Sequence, residues 1–232
     1  MANILVCDDD KDIVAAIEIY LQEDGHSIYK AYNGREALDI LSKEEIQLVI
    51  LDIMMPEMDG IETAEEIRKT STVPIIFLSA KSEEEDKILG LNAGGDDYVT
   101  KPFSPAELTA RVRSNLRRYT MLGSINEGAS NNHIYNAGSL CINDETKVVT
   151  VDGEPVKLTP IEYNILLLLI KNKGTVFSTD KIYESIWNET PIATDNTVAV
   201  HIRHIREKIE INPGQPKFLK VVWGVGYKIE DL

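Results

Sequence analysis

The chain of 232 residues is long enough for one large domain or two ordinary ones. Its 43% hydrophobic and 27% charged residues are typical of a soluble globular protein, and no uncharged apolar stretch approaches the roughly 18 residues that a membrane helix needs. Because the amino terminus lacks the basic start of a signal peptide and Cys7 and Cys141 form no CxxC motif, we expect a cytoplasmic protein with no membrane partner.

The net charge of −14 argues against nucleic-acid binding until its distribution is considered. Residues 1–122 carry 24 acidic and 13 basic residues, a net charge of −11, whereas residues 123–232 carry 14 and 11, a net charge of −3. Within residues 201–228, six basic residues stand against two acidic ones. A local basic surface of this kind can bind phosphates although the chain as a whole is acidic.

Short apolar runs alternate with amphipathic helical patterns through residues 1–120. Asp10 and Asp59 stand where two of the helices would begin, and aspartate is a favoured N-cap. The alternation predicts a flavodoxin-like, doubly wound parallel (βα)5 domain of the α/β class. The predicted strands are Ile4–Cys7, Ser27–Ala31, Leu48–Leu51, Ile75–Leu78 and Tyr98–Thr100.

Acidic residues follow two of these strands. Asp8 and Asp9 come after the first strand, and Asp52 ends the third. The two strands are neighbours in the flavodoxin-like order, so Asp9 and Asp52 would face each other at the edge where such sheets bind ligands. A divalent cation would remove the cost of bringing these charges together. Taken singly, the acids after the first strand also fit a solvated charge run, and Asp52 also fits an N-cap.

The same edge receives a hydroxyl and a cationic side chain. Ser79 ends the fourth predicted strand, and Lys101-Pro102 follows the fifth. A carboxylate, a cation, a lysine and a hydroxyl together suit a phosphoryl group: the carboxylate attacks, the positive charges neutralise the oxygens and the hydroxyl donates a hydrogen bond. An aspartyl-phosphate is therefore chemically reasonable, although Lys101 and Pro102 could also be ordinary surface and turn residues.

The second half of the chain has a different character. Small polar residues predict a flexible linker over residues 121–133, followed by a second domain over residues 134–232. Short β-type segments come first, at Leu140–Asn143, Val148–Val151 and Val156–Leu158. Three helices follow, beginning near Thr159, Ser178 and Thr197, and the chain closes with a hairpin over residues 218–229. This order predicts a winged helix-turn-helix of the α+β class.

The third of these helices, from Thr197 to about Ile211, would enter the major groove of double-stranded DNA. Arg203 and His204 are the expected base readers, whereas Thr197, His201 and Arg206 would lie nearer the phosphates. The helix could equally be an ordinary amphipathic one, and Trp223 could be a core aromatic of the hairpin. The full set of predicted DNA-binding residues is Asn196, Thr197, His201, Arg203, His204, Arg206, Lys208, Trp223 and Lys228.

The motifs occur in a familiar order. Asp8-Asp9, Asp52-Ile-Met-Met-Pro56, Ser79-Ala80 and Asp96-Asp97-Tyr98-Val-Thr-Lys101-Pro102 resemble a response-regulator receiver domain. The second half resembles the winged-helix effector of the OmpR/PhoB family through Leu158-Thr-Pro-Ile-Glu-Tyr163, Val198-Ala-Val-His201-Ile-Arg203 and Gly224-Val-Gly226-Tyr227. Arg117-Arg118-Tyr119 and Val222-Trp223-Gly224 are most similar to VanR-type regulators, which predicts target genes for glycopeptide resistance.

The resemblance implies a role for each residue of the acidic edge. Asp52 would be phosphorylated by a sensor histidine kinase. Asp9, Asp52 and the backbone carbonyl of Met54 would hold Mg²⁺, with Asp8 assisting through water. The remaining residues would act on the phosphoryl group and the switch: Ser79, Tyr98, Lys101 and Pro102, with the Lys101–Pro102 peptide in the cis form.

The resemblance also implies that phosphorylation produces a homodimer. The dimer would bind tandem half-sites of a promoter and act on RNA polymerase. Three charge pairs would meet across the dimer face: Lys87 with Glu107, Asp97 with Arg111, and Asp96 with Arg118. Two departures from the family stand out, since Gly95 replaces the usual Ala and Trp223 replaces the arginine that many members carry on the wing.

Two other functions compete with this interpretation. A phosphorylation-independent transcription factor would not need the full acidic pocket. An aspartyl-phosphate phosphotransferase of the haloacid dehalogenase type would need a second aspartate two residues after the nucleophile, where this chain has Met54. No GxxxxGK phosphate-binding loop is present, so direct use of ATP is not expected, and we predict a regulator and not an enzyme.

Overall fold

The computed structural model describes residues 1–79, 84–123, 133–188 and 196–232, without the side chains of residues 84–87 and 121–123. The chain forms two compact units, Met1–Tyr119 and Thr120–Leu232. Within the described ranges, no helix combines the length and apolar character that crossing a membrane requires. The last helix of the first unit continues to Gly123, three residues into the segment predicted as linker, and residues 124–132 of that segment lie outside the description.

The first unit contains a parallel sheet of five strands in the order β2-β1-β3-β4-β5. This order confirms the predicted flavodoxin-like fold, and every predicted strand is present within one residue of its predicted ends. The elements are β1 (Asn3–Cys7), α1 (Lys11–Glu23), β2 (Ser27–Ala31), α2 (Gly34–Lys43), β3 (Leu48–Asp52), α3 (Gly60–Thr70), β4 (Ile75–Ser79), α4 (Glu84–Asn92), β5 (Asp97–Thr100) and α5 (Pro105–Gly123).

Local signals in the sequence start the helices that follow β1 and β3. The Asp10 carboxylate accepts hydrogen bonds from the backbone N–H groups of Asp12 and Ile13, and Asp59 accepts one from Glu62 at 2.8 Å. Both N-caps were predicted, and they satisfy two orphan donors in the first turn of α1 and one in that of α3. The caps matter for the site because they fix the points at which the chain leaves the carboxyl edge of the sheet.

The sheet of the first unit is covered on both faces. All residues of β3 and β4 are buried, which explains why their sequences are continuously apolar and do not alternate. The bulky Phe77 of β4 fits because Gly95 lies opposite it, where an added Cβ would stand 2.6 Å from a ring carbon. The glycine that departs from the family pattern therefore makes room for a large neighbour, and polar chemistry is confined to the sheet edges.

The second unit is a winged helix-turn-helix preceded by a small sheet, as predicted. It comprises four antiparallel strands, three helices and a hairpin: β6 (Ile134–Ala137), β7 (Leu140–Asn143), β8 (Val148–Val151), β9 (Glu154–Pro155), α6 (Pro160–Lys171), α7 (Thr179–Trp187), α8 (Asn196–Ile209), β10 (Leu219–Val222) and β11 (Gly226–Ile229). The strand β6 was not predicted. The segment Val156–Leu158 was predicted as a strand but is irregular, because pairing with β8 ends at Pro155.

A capping box begins α6, as the sequence predicts. Thr159 accepts from the backbone N–H of Glu162, and the Glu162 carboxylate accepts from the N–H of Thr159 at 2.7 Å. Glu162 is also bound by Lys208 of α8 at 2.6 Å. One carboxylate therefore starts α6 and fastens it to α8, around a core to which all three helices and the hairpin contribute.

Candidate functional site

Three carboxylates meet at the carboxyl edge of the parallel sheet. Ligand oxygens of Asp8, Asp9 and Asp52 lie within 4.8 Å of one another. They come together because β1 and β3 are hydrogen-bonded neighbours, with Cys7 paired with Leu51 one position before the acids. Asp8 is 0% exposed and Asp52 4% exposed, whereas Asp9 faces solvent.

Lys101 is the cation of this pocket. Its Nζ donates to Asp8 Oδ2 and to Asp52 Oδ1, both at 2.6 Å. The lysine follows β5, and its own backbone N–H binds the carbonyl of Ser79 at 2.7 Å. The peptide between Lys101 and Pro102 is cis, as the family resemblance implied. The structure thus joins three predicted site residues, Asp8, Asp52 and Lys101, into one ion-paired group.

Burial raises the pKa of the Asp52 carboxyl, and the hydrogen bond and charge of Lys101 oppose the rise without cancelling it. The pKa of Lys101 is also raised: burial favours its neutral form, but its bonds to Asp52 and Asp8 outweigh that effect. The lysine therefore stays protonated in the pocket. Lys101 bonds two of the three carboxylates, Asp8 and Asp52, so the pocket retains an excess of negative charge.

Each oxygen of Asp52 has one donor. Oδ1 binds Lys101, and Oδ2 accepts from the backbone N–H of Met54 at 2.9 Å. The Met54 side chain is 63% exposed and leaves the mouth of the pocket open to solvent. The chain then turns back so closely over β3 that a Cβ added at Gly60 would stand 2.1 Å from the Asp52 carbonyl oxygen. Glycine at this position lets α3 begin directly beside the pocket.

Two more predicted residues belong to strands beside the pocket. Ser79 is the last residue of β4 and is buried, paired in register with Thr100 of β5. The Tyr98 hydroxyl forms a hydrogen bond with the Thr100 hydroxyl. The aromatic ring is thus tied to its own strand, three residues before Lys101.

The exposed part of α8 carries the second set of predicted site residues. The Arg203 side chain is 67% exposed and forms an ion pair with Glu207 at 2.8 Å. Asn196 is exposed, and Thr197 and His204 are partly so. Burial lowers the pKa of His204, although Glu162 and Glu207 act in the opposite direction. An uncharged histidine can both donate and accept hydrogen bonds, which suits contact with base edges.

Comparison with known proteins covers both units. Residues 4–113 match the family described as "Response regulator receiver domain", and residues 153–229 match "Transcriptional regulatory protein, C terminal". The chain is 43% identical to "Regulatory protein VanR" of Enterococcus faecium, over 98% of each protein.

The chain belongs to the OmpR/PhoB family of two-component response regulators.

Other relatives agree with this assignment. The "Uncharacterized transcriptional regulatory protein YrkP" of Bacillus subtilis is 45% identical over 97% of each chain. The crystal structure of DrrB, a Thermotoga maritima OmpR/PhoB homologue, is 33% identical with a TM-score of 0.52, covering 99% of each chain. The protein is thus a phosphorylation-activated, DNA-binding transcriptional regulator with a receiver domain and an effector domain. Its domain types imply a histidine kinase and DNA as partners.

Two acids of the predicted dimer face have partners within their own chain. Asp96 is 1% exposed and binds Arg68 at 2.7 Å within the same receiver domain, and its pairing with Arg118 across a dimer stays a prediction. Arg118 is itself buried and donates to Ser114. Asp97 pairs with Arg111 of its own chain at 2.9 Å. Both acids lie at the start of β5, and within one chain their partners come from α3 and α5.

The other two residues of the predicted dimer face are Glu107 and Lys87. Glu107 lies in the first turn of α5 and is exposed, 3.7 Å from Arg111. The Lys87 side chain lies outside the described part of the chain. Arg68 was not singled out from the sequence, although it also donates to the carbonyl oxygens of Val73 and Gly94. No sequence signal marks an arginine on a helix surface as the partner of a buried acid.

The predicted DNA-binding set of the effector domain is also divided by the structure. His201 is 2% exposed and lies against Trp187 in the core, so the prediction that it contacts phosphate is wrong. The Arg206 Nε donates to the carbonyl of Leu219 at 3.0 Å, and Lys208 is bound to Glu162. Both cations hold α8 to other elements of the domain, Arg206 from a partly buried position and Lys208 from an exposed one.

The hairpin gives the opposite correction. Trp223, which could have been a core aromatic, is 88% exposed at the turn between β10 and β11. Lys228 of β11 is partly buried and pairs with Glu230 at 3.1 Å. Glu210, at the end of α8, was missed: its carboxylate accepts from the backbone N–H groups of Lys217, Phe218 and Leu219. A single glutamate after a helix carries no signal of that role.

Proposed function

We propose that Asp52 accepts a phosphoryl group from a sensor histidine kinase and that this modification controls promoter binding by the effector domain. The observation that carries the proposal is the position of the Lys101 ammonium, 2.6 Å from both Asp52 and Asp8 in a buried acidic pocket. An ammonium held there can neutralise a ligand with more negative charge than one carboxylate, and a phosphoryl group is such a ligand.

The transfer is an in-line displacement at phosphorus. An Asp52 oxygen attacks, a phosphorus–oxygen bond forms, and the phosphorus–nitrogen bond to the kinase histidine breaks with its electron pair moving to the imidazole nitrogen. The Lys101 ammonium moves from the Asp52 carboxylate to the phosphoryl oxygens. Its flexible stem lets Nζ shift while it stays near Asp8. Ser79, at the end of β4, donates its hydroxyl to another phosphoryl oxygen.

The pocket suits Mg²⁺, which prefers carboxylate and carbonyl oxygen ligands. Asp9, Asp52 and the Met54 carbonyl would hold the ion, with Asp8 assisting. Three carboxylates within 4.8 Å, two of them buried and sharing one lysine, form an all-oxygen donor set with uncompensated charge. When bound, Mg²⁺ supplies positive charge against the phosphoryl oxygens.

The proposal extends to the switch and to assembly. Tyr98 lies on the strand that leads to Lys101 and shares a hydrogen bond with Thr100, so movement of Ser79 or Lys101 is passed directly to β5. We propose that the resulting shift favours a homodimer through the face of α4, β5 and α5, with Glu107 its exposed acid. The dimer binds tandem half-sites and contacts RNA polymerase.

In the effector domain, α8 enters the major groove with Arg203 and His204 toward base edges and Asn196 and Thr197 at its amino-terminal end. Arg203 must exchange its pair with Glu207 for a base contact. We further propose a cytoplasmic regulator that does not turn over a separate substrate as an enzyme does. Its similarity to VanR extends the proposal to target genes of the glycopeptide-resistance type.

Phosphorylation of the full-length protein by acetyl phosphate and Mg²⁺ tests the assignment. The parent protein should gain the mass of one phosphoryl group, and Asp52→Asn should gain none, because the amide is not a nucleophile. Asp59→Asn is the matched control: it alters an exposed aspartate of the following loop, and asparagine caps a helix as well as aspartate does. Labelling of Asp52→Asn at the parent level would contradict the proposal.

A further inference from the structure

A second lysine stands at the edge of the sheet that carries the acidic pocket, and the proposed function does not use it. Lys11 is the first residue of α1 and is exposed. Its Nζ lies over the Tyr32 ring, 5.4 Å from the ring centroid, an arrangement that attracts a cation. Among the residues that the structure describes, no carboxylate forms an ion pair with Lys11, although three aspartates directly precede it. Its charge therefore remains available to a ligand.

The sheet places Tyr32 at the level of the pocket acids. Cys7 of β1 is paired in register with Ala31 of β2, and the Asp8 N–H donates to the Ala31 carbonyl at 3.2 Å. Tyr32 and Asp8 therefore follow side by side on neighbouring strands. Asp52 takes the same level on β3, which lies on the other side of β1. The ring is thus two strands from the phosphoacceptor, at a spacing of about 4.8 Å per strand.

Tyr32 also lies on the same face of the sheet as these acids. Its ring packs against the buried cluster that contains Val6 of β1, Ile50 of β3 and the inner side of α1. Side chains alternate between the two faces of a strand, so Asp8 and Asp52 project to the same face as the residues two positions before them. The pair of Lys11 and Tyr32 therefore borders the pocket on its β2 side.

Two lysines thus approach the pocket from opposite ends of the sheet. Lys101 follows β5 and is already bound to Asp8 and Asp52, whereas Lys11 is exposed and bound to the Tyr32 ring. The excess of negative charge in the pocket repels an anionic donor as it approaches. Lys11 is a cation that such a donor meets while it is still outside the pocket.

The position of Lys11 is unfavourable for the helix that it begins. A cation in the first turn opposes the helix dipole, whereas an acid there, such as Asp12, complements it. A residue that breaks a local rule of stability is expected at functional sites. Lys11 is therefore better explained by a ligand than by folding.

From this arrangement we infer that Lys11, held by the Tyr32 ring, binds the phosphoryl group of the incoming donor before transfer to Asp52. This role rests on the proposed function of Asp52 as the phosphoacceptor. The ligand is the phosphoryl dianion, carried either by an acyl phosphate or by a phosphohistidine. Lys11 offsets the repulsion between this dianion and the pocket acids, and no bond to Lys11 forms or breaks. It raises the rate at which the donor arrives and leaves the chemical step to Asp52 and Lys101.

The experiment measures by intact mass how fast the full-length protein gains one phosphoryl group in the presence of Mg²⁺. The donors are acetyl phosphate and phosphoimidazole, each at low concentration. Lys11→Gln should slow both reactions about 3- to 10-fold at low ionic strength, as expected when one charge acts on a dianion across a short, solvated distance. Near 1 M salt the Debye length falls to about 3 Å, so the parent and the variant should react alike.

Lys30→Gln is the matched control. Lys30 is an exposed lysine of β2 on the same face as Tyr32 but farther from the pocket edge, and it is paired with Glu18 at 3.0 Å. Its removal should leave both rates within about twofold of the parent, because the charge is distant and already matched. The melting temperature of Lys11→Gln should equal or exceed that of the parent, since a cation leaves the first turn of α1.

The ring supplies a second pair of variants. Tyr32→Phe should keep the parental rates, because the ring face is what holds the ammonium, whereas Tyr32→Leu should lose part of the Lys11 effect. A Lys11→Gln variant that reacts like Lys30→Gln would overturn the inference. A loss that persists at high salt would do the same, and so would a loss with only one donor, because the leaving group would then be what is recognised. If Asp52→Asn stays unlabelled while Lys11→Gln reacts normally, the role of Asp52 stands and only the role of Lys11 fails.

Discussion

Asp52 of the receiver is buried and Asp144 of the effector is partly buried, and their pKa values are shifted in opposite directions. Asp52 of the receiver shares one lysine with Asp8, and burial prevails, so its pKa is raised. Asp144 of the effector receives Lys147 at 2.6 Å, Lys171 at 2.8 Å and the Tyr163 hydroxyl at 2.8 Å. Burial alone would raise the pKa of Asp144 too, but these three donors lower it.

The contrast separates a reactive acid from a structural one. Asp144 joins the β7–β8 turn to α6, and each donor that reaches it comes from the same domain. Around Asp52 the negative charge exceeds the positive charge. Both a phosphoryl acceptor and a cation site require such an excess. Surplus negative charge at the end of a strand therefore indicates ligand chemistry, whereas a fully matched acid indicates architecture.

The largest expected effect comes from removing the cation that is bound to Asp52 and Asp8. Lys101→Ala removes the ammonium from Asp8 and Asp52 and leaves two buried carboxylates uncompensated, which should cost about 3–5 kcal/mol of receiver stability. Urea unfolding followed by circular dichroism measures the loss. Adding Asp52→Asn to the variant should recover part of it, since one buried charge is then gone. If Asp52→Asn changes stability by the same amount with and without Lys101, the two residues are not coupled.

A smaller loss is expected in the effector. Asp144→Ala strands Lys147 and Lys171 near one another and leaves the Tyr163 hydroxyl without its acceptor, at a cost of about 1–3 kcal/mol. Emission of the buried Trp187 reports unfolding of that domain. Glu145→Ala, at an exposed residue of the same turn, is the control and should change stability by less than about 0.5 kcal/mol. A loss no larger than that of the control would mean that the three donors are satisfied by water.

Asp52→Asn should act in the opposite direction. Since the raised pKa shows that ionised Asp52 is disfavoured in the folded receiver, neutralising it should stabilise that domain by about 0.5–2 kcal/mol while abolishing phosphorylation. Calorimetry of the parent and the variant without Mg²⁺ measures the gain. A clear decrease in melting temperature would mean that the bond to Lys101 outweighs the cost of burial.

The smallest effects lie in the pH dependence. The lowered pKa of Asp144 means that its stabilisation is present above about pH 4, the ordinary aspartate value, and disappears as pH falls through the lowered pKa. The difference between the parent and Asp144→Asn should therefore shrink in acid. For Asp52 the sign is reversed: its contribution is present below about pH 4 and lost as pH rises through the raised pKa, so the advantage of Asp52→Asn should grow toward neutral pH. Melting temperatures across this range check both trends.

Much of the receiver could be predicted because its signals are local. Apolar runs located the five strands, and Asp10 and Asp59 located two helix starts through their own side chains. The strand order followed from general rules of α/β topology, and with it came the meeting of Asp9 and Asp52. The strand β6 was missed because Ile134–Ala137 is short, adjoins polar residues and is a strand only through pairing with β7.

The spacing of residues in the sequence could not predict which polar side chains of α8 are buried and which are exposed. His201 and Arg203 are two residues apart and both are polar, yet one is in the core beside Trp187 and the other is in solvent. Likewise, the sequence predicted that Arg206 lies near phosphates, but its side chain donates to the carbonyl of Leu219 in the wing. Which basic residue of an amphipathic helix stays free depends on elements that lie elsewhere in the chain.

The sequence by itself determined the order of the elements, the helix caps, the acids at the ends of β1 and β3, and the family. These depend on periodicity and on interactions between residues a few positions apart. Tertiary structure alone decided how the charges are matched: Lys101 bridges Asp8 and Asp52, Arg68 claims Asp96, and Trp223 remains uncovered. The reason is physical, because the energy of a charge or an aromatic ring depends on its desolvation and its partners, and both are set by segments distant in sequence.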